Sequence, residues 1–305
     1  MLPPVLSISV PYTGRFAPSP SGPLHLGSLV AALGSWLDAR ANSGRWLLRI
    51  EDLDTPRNQP GAEAAILASL QAHGLDWDGA IERQSARLPL YHDALAHLRK
   101  QDHVYPCACT RRDIGDAGGR YPGTCRAGLP DGRQARAWRL ACPAGTVQWV
   151  AREDVICTED VAAVVGDFVL QRADRIVAYQ LAVVVDDGAQ GVTDVVRGRD
   201  LRSSTGRQRL LQDLLQLPAP RYLHLPLALG RDGQKLSKQN LAPALQDNAA
   251  SANLTKALIA LGQPLPLPAA PECAQLSRDA LLDWAIAHWQ PARLPATDEP
   301  MPVSP

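Results

Sequence analysis

Hydrophobic and polar positions follow two different spacings along the first part of the chain. Between Leu24 and Leu37 the apolar residues recur every three or four positions, which predicts an amphipathic helix that ends before Gly44. The next apolar run, residues 46–50 (WLLRI), is short and is followed by the largely polar residues 51–54 (EDLD). This order is typical of a buried parallel strand with polar side chains at its carboxyl end.

The flanking segments extend this alternation of strands and helices. Residues 5–10 form a short apolar run that predicts a strand, and residues 14–23 hold so many prolines and glycines that we expect a loop. Helical spacing returns at residues 62–73, closed by Gly74, and again at residues 91–99. The first half therefore predicts a doubly wound α/β fold.

The alternation of predicted strands and helices is absent between residues 107 and 175. Short β-like runs at 147–150 and 168–171, separated by many turns, indicate an inserted module. The α/β pattern then resumes with residues 181–185 (LAVVV), an apolar run that ends in two aspartates and predicts a buried strand. The simplest interpretation is a sheet that the insertion splits in two.

The second half continues in the same way. Residues 192–196 and 222–229 predict further strands, and Ser203, Ser204 or Thr205 is suited to cap a helix that reaches Leu217. Two helical patterns follow, at residues 250–261 and 277–289. We therefore expect four regions: a first half of the α/β domain (1–106), the insertion (107–175), a second half of the α/β domain (176–225) and a loop with a small helical region (226–305).

Composition and charge narrow the class of protein. A chain of 305 residues with 46% hydrophobic and 20% charged residues has enough apolar material for a sizeable core, which excludes a disordered chain. No apolar run approaches the roughly 20 residues that cross a bilayer, so we expect a soluble, cytoplasmic protein without a membrane partner. Lys plus Arg and Asp plus Glu both number 31, so net charge does not point to nucleic acid.

Two short segments carry candidate phosphate chemistry. Residues 25–28 (HLGS) lie at the start of the first predicted helix, where free N–H groups and the helix dipole favour a phosphate. Residues 235–238 (KLSK) follow a tight-turn signal. On its own, the first is better explained as a solvated capping histidine and the second as a solvated loop.

Together, these segments resemble the paired HIGH and KMSKS signatures of class I aminoacyl-tRNA synthetases. Residues 15–22 (RFAPSPSG), 49–55 (RIEDLDT) and 182–187 (AVVVDD) resemble the glutamyl branch, and the resemblance covers roughly residues 14–240. Three features are similar to the glutamyl-Q tRNA(Asp) synthetase family within that branch: Ser28 at the end of the first signature, KLSKQN at 235–240, and an early stop.

The resemblance implies a fold and an activity. The fold is a class I Rossmann-like parallel sheet, split by a zinc-bearing insertion and followed by a small helical stem-contact region. Residues 241–305 are too few for the large anticodon-reading domain of ordinary glutamyl-tRNA synthetases, so we expect none. The family activates L-glutamate with ATP, accompanied by Mg²⁺, and transfers it to the queuosine base in the anticodon of tRNA(Asp). We expect a monomer.

The resemblance also implies roles for individual residues. Glu51 would hold the glutamate ammonium, Arg15 and Arg197 its carboxylates, and Tyr179 would add a hydroxyl. For Glu51 or Arg197 taken singly, an ordinary ion pair would be the simpler explanation. The remaining assignments are the pocket residues Phe16, Ala17, Pro18 and Ser19, the ATP-binding residues His25, Gly27, Ser28 and Lys238, and the catalytic set His25, Gly27, Lys235, Ser237 and Lys238.

Three clustered cysteines form a second group of candidate functional residues. Cys107, Cys109 and Cys125 supply three thiolates, one fewer than the four ligands that structural zinc prefers, and the C-x-C spacing is tighter than usual. The spacing alone favours zinc only slightly over buried free cysteines. The resemblance implies that Tyr121 is the fourth ligand of one structural Zn²⁺. Cys142 or water as the fourth ligand, or an empty site, are the alternatives.

The insertion is also basic, which is equally typical of an RNA-phosphate surface and of a solvated face. The arginines concerned are Arg111, Arg112, Arg120, Arg126, Arg133, Arg136 and Arg139. Two other functions remain open at this point. One is a truncated glutamyl-tRNA synthetase that charges a tRNA 3′ end, and the other is a non-catalytic, zinc-containing RNA-binding module.

Replacing Lys238 by Ala tests the second signature. Because its charge would act mainly as negative charge develops on the phosphates, we expect turnover to fall about 100-fold and the KM for glutamate to change less than about threefold. ATP–pyrophosphate exchange measures both, with Lys100→Ala as a control outside both signatures. Unchanged turnover with weaker glutamate binding would contradict the assignment.

Overall fold

Parallel strands from both halves of the chain lie side by side. The computed structural model describes residues 11–115, 120–151, 154–229, 243–266 and 276–297. The Thr193 N–H donates to Thr13 O at 2.9 Å and so joins two parallel strand groups. In spatial order the strands are β10 (Arg221–Leu225), β9 (Asp194–Gly198), β1 (Thr13–Phe16), β2 (Arg45–Ile50) and β3 (Glu82–Arg83). The predicted α/β fold with a parallel sheet is confirmed.

Helices surround this sheet. The helical periods predicted near residues 24–43, 62–73, 91–99, 250–261 and 277–289 are confirmed to within a few residues. The described α-helices are α1 (Leu26–Ala41), α2 (Ala62–Ala72), α3 (Leu88–Lys100), α4 (Arg111–Gly115), α5 (Val161–Val164), α6 (Tyr179–Ala189), α7 (Thr205–Leu214), α8 (Ala250–Ala260) and α9 (Arg278–Ala287). None of the helices in these ranges is long and apolar enough to span a membrane.

Antiparallel strands separate the two parallel groups along the chain. One small sheet has the order β4 (Val104–Cys107), β5 (Ala137–Leu140) and β8 (Val169–Gln171), and a separate hairpin pairs β6 (Val147–Val150) with β7 (Ile156–Glu159). The short strands predicted at 147–150 and 168–171 are thus confirmed. Their antiparallel pairing matches the change of sequence rhythm in this stretch.

Apolar side chains form two main cores. In the first, α1 buries Leu29, Leu33 and Leu37 completely against the sheet and against α8 and α9. Gly34 lies at the contact with β10, where a Cβ would meet a methyl group of Leu225 at 2.6 Å. The second core packs α3, α6 and α7 against the antiparallel strands. The start of α1 is thereby held at the edge of the parallel sheet.

The prediction of a strand at residues 181–185 is wrong, because these residues lie in α6. All five are buried, so the run contains no polar position that would reveal a helical period. A short, continuously apolar run is equally compatible with a buried strand and with a buried helix. Asp186 and Asp187, predicted as the polar end of this strand, are also helical and buried.

The start of the chain contains a strand where a loop is predicted. Residues 14–16 of the predicted loop lie in β1 (Thr13–Phe16), while the strand predicted at residues 5–10 lies outside the described residues. Strand β1 is buried along its length, and its Phe16 ring stacks on Trp46 of β2 with centroids 6.1 Å apart. The loop prediction rests on the glycine and proline content of the whole segment, which gives no indication that its first residues are extended.

Candidate active site

One pocket brings together the described residues that the sequence analysis assigned to glutamate and ATP. The pocket has a volume of about 790 Å³. The assigned residues that line it are Arg15, Phe16, Ala17, Pro18, Ser19, His25, Gly27, Ser28, Glu51, Tyr179 and Arg197. The other predicted catalytic residues, Lys235, Ser237 and Lys238, lie outside the described residues.

The direction of the strands explains this convergence. Arg15, Glu51 and Arg197 lie at or just beyond the carboxyl ends of β1, β2 and β9. Parallel neighbouring strands end at the same edge of a sheet, where α/β proteins bind their ligands. A second cavity, of about 820 Å³, lies between α3 and residues 171–177 and is lined by none of the residues assigned to glutamate or ATP. The described residues assigned to glutamate and ATP therefore lie together in the pocket at the strand ends.

The start of α1 forms one wall of the pocket. His25 is the N-cap of this helix, and its Nδ1 accepts a hydrogen bond from the Ser28 N–H at 3.2 Å. In the neutral ring the proton then resides on Nε2, which makes that nitrogen a donor. The first turn of α1 contains no acidic side chain, so the positive end of the helix dipole is uncompensated from within the helix. This wall is suited to an anion such as a phosphate.

Glu51 is a half-buried carboxylate whose buried Oε1 atom has spare capacity for hydrogen bonds. Its Oε1 has no hydrogen-bond partner, and the nearest cation, Arg49 Nη2, lies 3.6 Å away. Burial raises the pKa of Glu51 to about 7, against the opposing effect of Arg49 and Arg15. A positively charged ligand group at Oε1 would relieve this unfavourable burial.

Arg15 is already paired. Its Nε and Nη2 donate to the two carboxylate oxygens of Asp187 at 3.1 and 3.4 Å. Arg49 Nη2 donates to the same carboxylate at 2.8 Å. Burial opposes ionisation of Asp187, but the two arginines outweigh it and lower its pKa. Sequence reasoning did not assign Asp187 or Arg49 to the site, and the only signal was their place inside the quoted motifs.

Arg197 differs from Arg15 because its partners are neutral. Its Nη1 donates to Gln208 Oε1 at 2.6 Å, and its Nη2 donates to Thr205 Oγ1 at 2.9 Å. Its Nε is buried without a hydrogen-bond partner. The pocket therefore offers a carboxylate with an unpartnered oxygen and a guanidinium with an unpartnered nitrogen, which complement a ligand that carries both an ammonium and a carboxylate.

The cysteine cluster lies in a separate small core. The sulfur atoms of Cys107, Cys109 and Cys125 all lie within 4.8 Å of one another, and those of Cys109 and Cys125 are 3.6 Å apart. Tetrahedral zinc with Zn–S bonds of about 2.3 Å requires sulfurs about 3.8 Å apart. Tyr121 Oη lies 3.3 Å from Cys107 Sγ and 3.5 Å from Cys109 Sγ. These donors fit a zinc ion.

Two further residues clarify the surroundings of the cluster. Cys142, the alternative fourth ligand, instead donates its thiol to Gly166 O at 3.1 Å. Arg139, assigned to a basic surface, is buried, and its Nε donates to Cys107 Sγ at 3.2 Å. Burial opposes ionisation of Cys107, but its hydrogen bonds with Tyr121 and Arg139 outweigh it and lower the pKa of the thiol. Cys107 therefore favours the thiolate, the form that binds metal, whereas burial and the neighbouring thiols raise the pKa of Cys109.

The chain is similar to known proteins over most of its length. A family model described as the catalytic domain of class I tRNA synthetases (E and Q) matches residues 12–120 and 127–259. A glutamyl-Q tRNA(Asp) synthetase from Aromatoleum aromaticum is 53% identical over 291 residues, which cover 93% of this chain and 91% of that protein. A protein of the same name from Pseudomonas aeruginosa is 50% identical over 285 residues, 93% of this chain and 95% of the relative.

Solved structures agree on the fold. A glutamate-tRNA synthetase from Elizabethkingia anophelis is similar with a TM-score of 0.75 at 25% identity, over 93% of this chain and 67% of that chain. A glutamate tRNA ligase from Elizabethkingia meningosepticum, solved in complex with its amino acid, has a TM-score of 0.76 at 24% identity, over 95% of this chain and 67% of the other. Because identity near 50% extends over more than nine-tenths of the chain, the chain belongs to the glutamyl-Q tRNA(Asp) synthetase family of class I aminoacyl-tRNA synthetases and is a ligase-type enzyme.

Proposed function

We propose that the protein activates L-glutamate with ATP and transfers the glutamyl group to the queuosine base of tRNA(Asp). The observation that carries the first step is the pairing in one pocket of the unpartnered Glu51 carboxylate oxygen with the unpartnered Arg197 nitrogen. An amino acid matches this arrangement, and Arg15 in the same pocket offers a second guanidinium for a second carboxylate. The second step rests on the names of relatives near 50% identity.

The first step needs no nucleophile from the protein. An oxygen of the glutamate α-carboxylate attacks the α-phosphorus of ATP, and pyrophosphate leaves with its electron pair. The protein positions the reactants and balances the developing negative charge. Glu51 binds the ammonium, Arg15 and Arg197 bind carboxylates, and Tyr179 contributes a hydroxyl. His25 Nε2 and the first N–H groups of α1 bind phosphate oxygens, with Mg²⁺ accompanying the ATP.

The second step is attack of a queuosine hydroxyl oxygen on the acyl carbon of the adenylate. The hydroxyl loses its proton and AMP leaves.

In this proposal residues 107–175 form an inserted module stiffened by one structural Zn²⁺, held by Cys107, Cys109, Cys125 and Tyr121. When bound, zinc supplies a fixed link between these segments of the chain. The cluster is not among the residues that line the pocket, which supports a structural role.

The acceptor RNA tests the function as a whole. Labelled glutamate is followed onto tRNA(Asp) from queuosine-competent and queuosine-deficient cells, with tRNA(Glu) as a control. We expect transfer only to the queuosine-containing RNA, and a product that survives removal of the 3′ end. Transfer to tRNA(Glu) instead would indicate an enzyme that charges a 3′ end. Binding of RNA without any pyrophosphate exchange would indicate a non-catalytic RNA-binding module.

The raised pKa of Glu51 predicts how glutamate binding depends on pH. The ammonium needs the ionised carboxylate, which is lost as the pH falls through about 7, the raised pKa of Glu51. We therefore expect the Kd for glutamate to rise about tenfold for each pH unit below that value, with proton release on binding. Calorimetry in buffers of different ionisation enthalpy measures both quantities.

The same experiment has a matched control. Glu51→Gln should bind glutamate weakly at every pH and should lose the pH dependence, since the amide does not titrate. A wild-type Kd that stays flat between about pH 5.5 and about pH 8 would show that Glu51 does not hold the ammonium.

Removing one thiolate tests the zinc assignment. We expect Cys109→Ser to abolish stoichiometric zinc and to lower the melting temperature by more than about 5 °C, because metal binding adds to folding free energy. Elemental analysis and a thermal melt measure the two effects. Cys157→Ser, a free cysteine on β7 outside the cluster, is the control and should retain zinc. Equal metal content in all three proteins would refute the site.

A further inference from the structure

Arg15 and Arg197, the two pocket arginines assigned to glutamate, differ in how far their charge is cancelled. Arg15 faces the ionised Asp187, whose pKa lies below its usual range. Arg197 is 5% exposed, and no carboxylate in the described part of the chain lies within 4.0 Å of its guanidinium. A buried cation without a counter-ion is costly. Such a cation indicates a site prepared for an anionic ligand group.

The groups in direct contact with Arg197 are neutral. Its direct partners are the Gln208 amide and the Thr205 hydroxyl. Thr205 in turn contacts the His224 ring at 3.3 Å, and burial together with Arg197 lowers the pKa of His224 to about 3, so the ring is uncharged near pH 7. Burial also raises the pKa of Tyr179, which keeps the phenol protonated.

A chain of hydrogen bonds fixes the orientation of the Gln208 amide. Gln208 Nε2 donates to Gln180 Oε1 at 3.0 Å, and Gln180 Nε2 donates to Ser204 Oγ at 3.0 Å. With its nitrogen committed to Gln180, Gln208 can only present its oxygen to Arg197. Gln208 is 2% exposed, so water does not substitute for these contacts. The network thus binds Arg197 firmly without neutralising it.

We propose that Gln208 is a specificity-determining positioning residue. It holds Arg197 through a neutral amide oxygen, so that the full positive charge of Arg197 is available to the side-chain carboxylate of the amino acid. This inference rests on the proposed activation of glutamate. It predicts that the pocket rejects glutamine because a neutral side-chain amide leaves the buried charge of Arg197 uncompensated.

The chemistry of activation supports this division of roles. The α-carboxylate loses its charge when it becomes an acyl adenylate, so a strong uncompensated cation there would favour the ground state over the transition state. Arg15, already neutralised by Asp187, suits that reacting group. The side-chain carboxylate keeps its charge throughout and suits Arg197. Gln208 maintains the difference, since a carboxylate at its position would cancel the charge of Arg197.

Two substitutions separate charge from hydrogen bonding. Gln208→Glu is nearly isosteric and places a negative charge against Arg197, and the facing Gln180 amide can rotate to donate to it. Gln208→Met keeps the bulk and removes both hydrogen bonds without adding charge. We expect Gln208→Glu to raise the KM for glutamate at least about 100-fold and to lower the glutamate-to-glutamine ratio of kcat/KM by a similar factor. The KM for ATP should stay within about threefold.

Gln208→Met should weaken glutamate binding less than about tenfold and should keep the preference for glutamate, because Arg197 stays uncompensated. ATP–pyrophosphate exchange with each amino acid, with and without tRNA(Asp), gives the kinetic values. Calorimetric titration with glutamate and glutamine gives the same selectivity without catalysis. Equal losses in the two variants, or an unchanged selectivity in Gln208→Glu, would overturn the inference.

The outcome also distinguishes this inference from the proposed function. A wild-type protein that binds glutamate selectively but exchanges no pyrophosphate would refute the function, while the binding selectivity of the two variants would still decide the role of Gln208. A wild-type protein that binds neither amino acid would refute both. Selective exchange by the wild type, with selectivity lost only in Gln208→Glu, would support both.

Discussion

The pocket depends on a buried cluster of charges centred on Arg49. This side chain is completely buried and forms ion pairs with Asp186, Asp187 and Glu51 at 3.6, 2.8 and 3.6 Å. Burial opposes its charge, but the three carboxylates outweigh that cost and raise its pKa. Buried ion pairs contribute little net stability, yet removing one partner leaves an uncompensated charge. The cluster therefore fixes where β2 and α6 lie relative to each other.

Because α6 is a helix, its two adjacent aspartates point about 100° apart and serve different neighbours. Asp186 accepts hydrogen bonds from Gln84, Arg87 and Tyr91, and so ties α6 to the segment that begins α3. Asp187 accepts from Arg15, which lines the pocket, and from the buried Arg49. A strand would direct these side chains to opposite faces of a sheet. The helical conformation thus links the second core to the pocket.

The charged side chains that line the pocket are held in fixed positions by their neighbours. Glu51 and Arg197 are each held by neighbours that leave one of their polar atoms unpartnered, at a cost that the surrounding packing offsets. Arg15, in contrast, reaches the pocket with its charge already balanced by Asp187. Opposite unsatisfied charges at fixed positions are a form of preorganisation, because the ligand does not have to order them.

The helices whose polar positions face solvent, such as α2 and α3, and the strand β2 with the polar residues after it could be predicted from the sequence alone. Through family resemblance, the motifs also predicted roles for Arg15, Glu51, Tyr179 and Arg197, which line one pocket. The helical conformation of residues 181–185 is evident only from the fold, since a run buried on all sides carries no period. Likewise, the pairing of Arg15 with Asp187, 172 positions along the chain, and of Arg197 with Gln208 depends on which side chains the fold brings together, and local sequence does not encode that proximity.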